Sequence, residues 1–267
     1  MSANPAPAVS ALFRYIETLH GDRPWGSMLD SGAGVKSLQW IQTLPTESWT
    51  AITAASGMAD ASRAALGDSV RPQDRILVGN WIDGGLLAGE TFDTVLADYL
   101  VGAIEGFAPY WQDHVFQRLR PLVADGGRLY VTGLEPYVQY PPNTESGRII
   151  WEIGRVRDAC LLLAGERPYR EYPLEWVLRQ LALAGLRTVQ FRRFPIRYGP
   201  RHVHGQLDMC RRRAERFGSP ELAASMLRYV DDLQQRALAL HEREGGLRHG
   251  RDYVIAAEPI PGAGAGS

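Results

Sequence analysis

Short apolar runs alternate along this chain with longer segments in which apolar residues recur every three or four positions. Seven runs read as strands: 27–30, 49–54, 75–78, 94–97, 128–132, 188–196 and 252–257. Between them, Trp111, Val115, Phe116 and Leu119 fall on one helical face, as do Leu174, Val177, Leu178 and Leu181. Pro173 suits the start of the latter helix and Gly185 its end. Short apolar strands without polar alternation imply a sheet covered on both faces, and their alternation with helices is the α/β pattern. The expected architecture is a doubly wound, mostly parallel seven-stranded sheet with helices on both faces.

Two segments exceed such a unit, 135–172 and 199–251, the second carrying an amphipathic helix with Leu222, Met226, Val230, Leu233 and Ala237. Ligands of open α/β sheets sit beyond the carboxyl ends of the strands, where insertions can roof the crevice. These segments, with an N-terminal helix over 9–19, are therefore expected to form a substrate lid on a single domain spanning 10–258. Packing helices or a homodimer surface are the alternatives. The ends, MSANPAPAV at 1–9 and the Gly/Ala-rich 259–267, are expected to be poorly ordered.

Composition changes this picture little. A chain of 267 residues, 45% hydrophobic, can bury one large core. With 29 basic and 30 acidic side chains it has no general electrostatic drive toward nucleic acid or a membrane surface, so a small molecule is the expected partner. No apolar run reaches the roughly 20 residues a bilayer requires and the first residues do not pattern as a signal peptide, which makes a cytoplasmic enzyme the expectation. Cys160 and Cys210 fit neither a disulfide framework nor metal spacing, and are expected to be reduced and at least half-buried.

The most informative stretch is SMLDSGAGVKSLQWI, in which a strand runs through Asp30, Ser31, Gly32, Ala33 and Gly34 into a helical pattern. Glycines 32 and 34 would let the chain turn tightly and let a nucleotide-type cofactor approach the backbone. A Gly-x-Gly turn alone is shared by dehydrogenases and methyltransferases. Here Ser37 stands where the dinucleotide pattern has its third glycine, and Thr53, Ala54, Ala55 and Ser56 occupy the place of the acid that should end the second strand. Asp30, by contrast, is placed to accept from the cationic end of a methionine moiety.

With these motifs the chain resembles, over nearly its whole length, the class I S-adenosylmethionine-dependent methyltransferases. LDSGAG is similar to that family's first motif, which implies that Asp30, Ser31, Gly32 and Gly34 hold the amino-acid part of S-adenosylmethionine. ILVGNWID resembles the adenine-contact segment, with Asn80 standing where an Asp is common and Trp81 beside the ring. FDTVLADYLVGAI resembles the fourth motif, in which Asp98 and Tyr99 end the fourth strand near the reactive methyl, and GGRLYVTG the fifth strand. The second strand departs from the family by lacking the acid for the ribose hydroxyls, for which Ser56 is the stand-in considered. WGSMLDSGAG, NWID, LADYLVGAIEGFAPYWQD, RVRDACLLLAGERPYREYPLEWVLR and FPIRYGPR are further similar to indole C3-methyltransferases acting on tryptophan-containing cyclodipeptides. That narrower resemblance implies methylation of an indole carbon with ring closure to a pyrroloindoline, in natural-product biosynthesis.

Methyl transfer from a sulfonium is an in-line displacement that mainly requires alignment and exclusion of water; a base helps where the acceptor loses a proton. Among Asp98, Tyr99, Glu105, Tyr110, Asp113 and His114, all after the fourth strand, His114 is the first choice because an imidazole titrates near neutrality. Tyr15 is a second candidate for shaping the acceptor or relaying a proton. His202 and His204 have no Cys, Asp or Glu at ligand spacing, so no metal is expected. Arg211, Arg212 and Arg213 read as a solvated helix face. Tyr137, Tyr140, Trp151, Tyr169, Tyr172 and Tyr198 concentrate in or beside the two long segments, where flat side chains suit a flat acceptor. Two other function classes stay open: a nicotinamide-dependent oxidoreductase on a similar fold, and a non-catalytic protein built on a cofactor fold.

Overall fold

All seven strand signals become strands of one sheet in the computed structural model, which describes residues 9–262. The expectations for 1–8 and 263–267 lie outside the described residues. The elements are α1 (Ala11–His20), β1 (Ser27–Asp30), α2 (Val35–Ile41), β2 (Ser48–Thr53), α3 (Ser56–Leu66), β3 (Arg75–Val78), β4 (Phe92–Asp98), α4 (Leu100–Ala103), α5 (Val115–Leu119), β5 (Val123–Leu134), α6 (Glu145–Leu163), α7 (Leu174–Leu183), β6 (Leu186–Tyr198), α8 (Pro200–Ala214), α9 (Pro220–Glu244) and β7 (Leu247–Pro259). The strands are ordered β3-β2-β1-β4-β5-β7-β6, in a mixed sheet that is mostly parallel. β1 to β5 pair in parallel, with Asp30 level with Ala51 of β2 and Leu96 of β4. This is the Rossmann-like methyltransferase fold, with helices on both faces.

The central strands are buried on both sides: Met28, Leu29, Val95, Leu96, Ala97, Leu129, Tyr130, Val131 and Val254 to Ala256 are fully enclosed. The edges are not, and Val78 on β3 and Val189 and Phe191 on β6 are exposed. An apolar run thus marks a strand without fixing how deep it lies, because an edge strand has only one neighbour. The helical signal around Trp111 to Leu119 is also shorter than its spacing suggested. Only Val115–Leu119 is α-helical, flanked by 3-10 turns, and the proline at 121 sits in the turn that follows.

The chain divides into two units. The first holds 9–133, 174–192 and 253–262 of the described residues. In it α1 is docked through its apolar face. Phe13 stacks on Trp40 with centroids 4.4 Å apart. The Trp40 indole N–H donates to Glu17 at 2.7 Å. His20 stacks on Trp25 at 3.6 Å and bonds the Tyr130 hydroxyl at 3.0 Å. The second unit, Leu134–Pro173 and Arg193–Asp252, embraces the two long segments. Its core joins α6, α8 and α9 through Ile150, Ile153, Val203, Leu207, Val230, Leu233, Ala237 and Leu240. Cys160 and Cys210 are free and buried in that core.

The arginine run on α8 is a correction to the solvated-face reading. Arg211 donates to Asp208 and to Asp231 and Gln234 of α9, and Arg213 pairs with Glu166, leaving Arg212 as the exposed member. Carboxylates on α9 and on the segment after α6 make Arg211 and Arg213 ties to neighbouring elements, which sequence spacing along one helix does not display.

In the first unit Glu258 gathers Arg23, Arg128 and Arg187. The Arg128 side chain is only 9% exposed, and its Nη1 also donates to the Leu19 carbonyl at 2.8 Å. Glu258→Ala strands that guanidinium and is expected to lower stability by about 2–4 kcal/mol, read as a drop in the urea midpoint. The Arg128 hydrogen bond holds the Glu258 carboxyl below its ordinary range. Its stabilisation is therefore present above the unfolded-state pKa and lost as pH falls through the folded one, so the wild-type advantage shrinks in acid.

Candidate active site

The strand order reverses direction between β1 and β4, and because these strands are parallel their carboxyl ends open a crevice at one edge of the sheet. Asp30 ends β1 and Asp98 ends β4. The loop after β1 is pinned from three directions. Ser31 donates both its amide, at 2.8 Å, and its hydroxyl, at 2.7 Å, to the Leu96 carbonyl. The Ala33 amide donates to Ile52 of β2 at 2.8 Å. The indole of Trp81, itself buried, donates to the Ser31 carbonyl at 2.7 Å.

Neither Gly32 nor Gly34 adopts a left-handed conformation. The tight-turn reason given for them is thus replaced by space. A Cβ on Gly34 would meet no atom within 4 Å, and one on Gly32 would make only ordinary contacts, at 3.4 Å, with the Asp98 carbonyl and Leu100. Nothing in the chain's own packing demands glycine at 34, whereas a ligand lying along the loop would.

Asp30 is fully buried. Ser37 donates its hydroxyl to Asp30 Oδ2 at 2.6 Å and the Gly32 amide reaches Oδ1 at 3.3 Å. Burial pushes the Asp30 carboxyl up to about 7, with the Asp98 charge adding to the rise and the Ser37 and Gly32 hydrogen bonds opposing it. Burial likewise raises Asp98, against the Thr132 hydroxyl that donates to it and the charge of Lys36. Two acids on adjacent strand ends repel one another and favour a positively charged ligand.

Tyr99 follows at φ 49°, a left-handed conformation held by its amide donating to the Thr132 carbonyl at 3.2 Å and hydroxyl at 3.1 Å. Such strain costs on the order of 1 kcal/mol and concentrates at functional sites. Asn80 lies in the loop after β3, donating to the Phe107 carbonyl at 2.9 Å. That bond ties the β3 loop to the turn around Glu105, whose buried carboxylate accepts from the Gln112 amide at 2.8 Å and the Tyr110 backbone at 3.3 Å.

The structure therefore brings Asp30, Ser31, Gly32, Gly34, Trp81, Asp98 and Tyr99 to one sheet edge. Asn80 turns instead to the Phe107 carbonyl, and the two proton-handling candidates, His114 and Tyr15, stand apart. The His114 side chain is 54% exposed, and its described neighbours are Asp113 at 3.7 Å and the Trp111 ring at 5.5 Å. Tyr15 is half-buried on α1, its hydroxyl accepting from Gln190 at 3.1 Å with the Arg192 guanidinium over its ring. Ser56 begins α3 in an exposed position, and among the described residues no acid ends β2. His202 packs on Tyr198 with its pKa lowered to about 4 by burial and the Arg157 charge, which keeps the imidazole neutral. Sequence reasoning missed Ser37 and Thr132, the hydroxyls that tie down the two acids. Ser37 had a readable signal, a serine at the third position of α2, three residues after its capping Gly34.

No protein-family model matches the chain, and no curated protein sequence matches it. Solved structures do. A Bacillus halodurans protein assigned provisionally to the methyltransferases is 12% identical, with TM-score 0.60 over 93% of this chain and 99% of that one. A mycolic acid cyclopropane synthase solved with S-adenosylhomocysteine is 14% identical, with TM-score 0.54 over 92% and 83%. A [4+2]-cyclase is 15% identical, with TM-score 0.52 over 93% and 81%. Identity this low establishes the fold alone, and the cyclase illustrates that one fold hosts unlike chemistry.

Proposed function

We propose that the protein is an S-adenosylmethionine-dependent methyltransferase acting on a small aromatic molecule. The observation that carries this reading is a pair of acids at the switch point beside a glycine loop, Asp30 fully buried and Asp98 half-buried, each with its carboxyl raised by burial. The residues present fit a cationic methionine-type cofactor. Asp30 would hold its ammonium, Ser31, Gly32 and Gly34 its amino-acid backbone, and Asn80 and Trp81 the adenine side. S-adenosylmethionine, when bound, supplies an electrophilic methyl group and leaves as S-adenosylhomocysteine.

The protein's own share is alignment, exclusion of water and proton removal. Asp98 and Tyr99 would border the acceptor, with His114 as the base and Tyr15 shaping the acceptor or relaying the proton. For the acceptor we favour an indole, at C3 of a tryptophan-containing cyclodipeptide with closure to a pyrroloindoline. In that reaction the nitrogen that closes the new ring gives up the proton. The lid role of 135–172 and 199–251 belongs to this proposal. Among the described residues no helix is long and apolar enough to cross a membrane.

Calorimetry on the whole chain is expected to show binding of S-adenosylhomocysteine and none of NAD or NADP; the reverse pattern would identify an oxidoreductase. Incubation with S-adenosylmethionine and a panel of indoles and cyclodipeptides is expected to give products heavier by one CH2, which mass spectrometry reads. Cofactor binding without turnover on any acceptor would make this a non-catalytic protein. The space beside Gly34 gives a sharper check. Gly34→Val places its branches where the cofactor would lie, and is expected to cost about tenfold or more in affinity, while the urea midpoint shifts by no more than about 1 kcal/mol of stability. A variant that is strongly destabilised yet, where folded, binds as tightly as the wild type would make the glycine a packing requirement.

A further inference from the structure

The second unit contains a cavity of about 360 Å³ with charged and aromatic walls. Its walls come from the chain after β5, from α6 and from the segment ahead of α7, and its chemistry lies in Tyr137, Arg157, Asp158, Tyr169, Glu171 and Tyr172. The Arg157 guanidinium is already committed. Its Nε and Nη2 donate to Asp158 at 2.8 and 2.6 Å, and its Nη1 donates to the Tyr137 hydroxyl at 3.0 Å.

Glu171 is different. Its half-buried carboxyl has electrostatic neighbours but accepts no hydrogen bond among the described residues. Burial pushes this carboxyl up to about 7; Asp252 and Asp158 reinforce the rise and Arg157 works against it. Arg170 also lines the cavity. A carboxylate in such a place is costly until a partner supplies both a donor and a positive charge. The ring faces of Tyr169 and Tyr172 suit a flat cation or a ring bearing one. The volume lies in the range of small-ligand sites.

We propose that this cavity binds a small protonated aromatic amine, whose ammonium donates to the Glu171 carboxylate while its ring lies against Tyr169 and Tyr172. The assignment goes beyond the methyl-transfer reading and does not depend on it. An anion is disfavoured because three of the five N–H donors of Arg157 are taken up and three carboxyl groups, on Asp158, Glu171 and Asp252, act on the same region.

Calorimetry with tryptamine, tryptophol and indole-3-propionate on the whole chain at pH 8 tests this, since the three probes share a ring and differ in the charge of the tail. Tryptamine is expected to bind at least about tenfold tighter than tryptophol, and indole-3-propionate not at all. In Glu171→Gln that preference is expected to vanish. In Tyr169→Ala, a change at a 55% exposed side chain, tryptamine and tryptophol should weaken by similar factors. Titrating S-adenosylhomocysteine in the same samples separates this proposal from the cofactor reading, and far-ultraviolet dichroism reports whether each variant is folded. Equal binding of tryptamine and tryptophol, tighter binding of the carboxylate, an amine preference that survives in folded Glu171→Gln, or no binding of any probe by the wild type would each overturn the assignment.

Discussion

Asp30→Ala is expected to weaken S-adenosylhomocysteine binding by about 1.5–3 kcal/mol, some 10- to 150-fold, because a charge-assisted contact to the ligand ammonium is lost. The structure adds a pH signature to that loss. In the free protein burial pushes the Asp30 carboxyl up to about 7, so near neutrality much of it is protonated. An ammonium beside it favours the carboxylate, hence wild-type affinity should rise as pH increases through about 7 and level off above. Below that point binding should release a proton to the buffer, which calorimetry in buffers of different ionisation enthalpy measures. Asp30→Asn should bind weakly with a flat profile.

Stability carries the opposite sign. A carboxyl whose folded pKa is raised binds more protons folded than unfolded, so stability should fall as pH rises from about 4 to about 7, by a few kcal/mol at most, and Asp30→Asn should flatten that slope. Unchanged affinity and an unchanged pH profile in a folded variant would remove Asp30 from the cofactor site.

The largest kinetic effect is expected at His114. General-base assistance is typically worth about 10²–10⁴-fold, whereas alignment contributes separately. His114→Ala should therefore slow methyl transfer by that factor while leaving S-adenosylhomocysteine affinity within about twofold. Wild-type turnover should fall in acid, where a base is protonated, and the variant should lose that limb. The exposure of the side chain sharpens the test. Among the described residues the His114 side chain neighbours Asp113 and the Trp111 ring, so acting as a base requires the acceptor itself to bring the reacting proton to it. Equal rates and equal pH profiles would return His114 to the surface and pass the role to Tyr15, Tyr99 or Glu105.

The local chemistry of the site was legible because it depends on a strand, a turn and a helix that are contiguous in the chain. Asp30, Gly32 and Gly34 stand within five residues, and an apolar strand ahead of them is enough to fix the context. The partners of the two acids were less legible. Ser37 is close by, but Thr132 reaches Asp98 only because β5 pairs with β4, a contact across 34 positions. The role of Trp81 was also out of reach. A tryptophan after the third strand looks like a ring to lie beside a ligand, and only the folded chain turns its N–H onto the Ser31 carbonyl, 50 positions away.

The sequence by itself determined the number and order of the strands, the glycine loop and the long amphipathic helix of the second long segment, since each depends on periodicity within a few residues. It also determined that the second strand would end without an acid. What only tertiary structure decided was everything set by neighbours distant in the chain. Edge position left β3 and β6 exposed despite their apolar runs. Facing acids turned Arg211 and Arg213 of α8 into ties to neighbouring elements. The switch point between β1 and β4 put Asp98 close enough to Asp30, and Asp30 deep enough, to raise the Asp30 carboxyl. Burial and Coulomb interaction depend on distance in space, and distance in space is not a local property of the sequence.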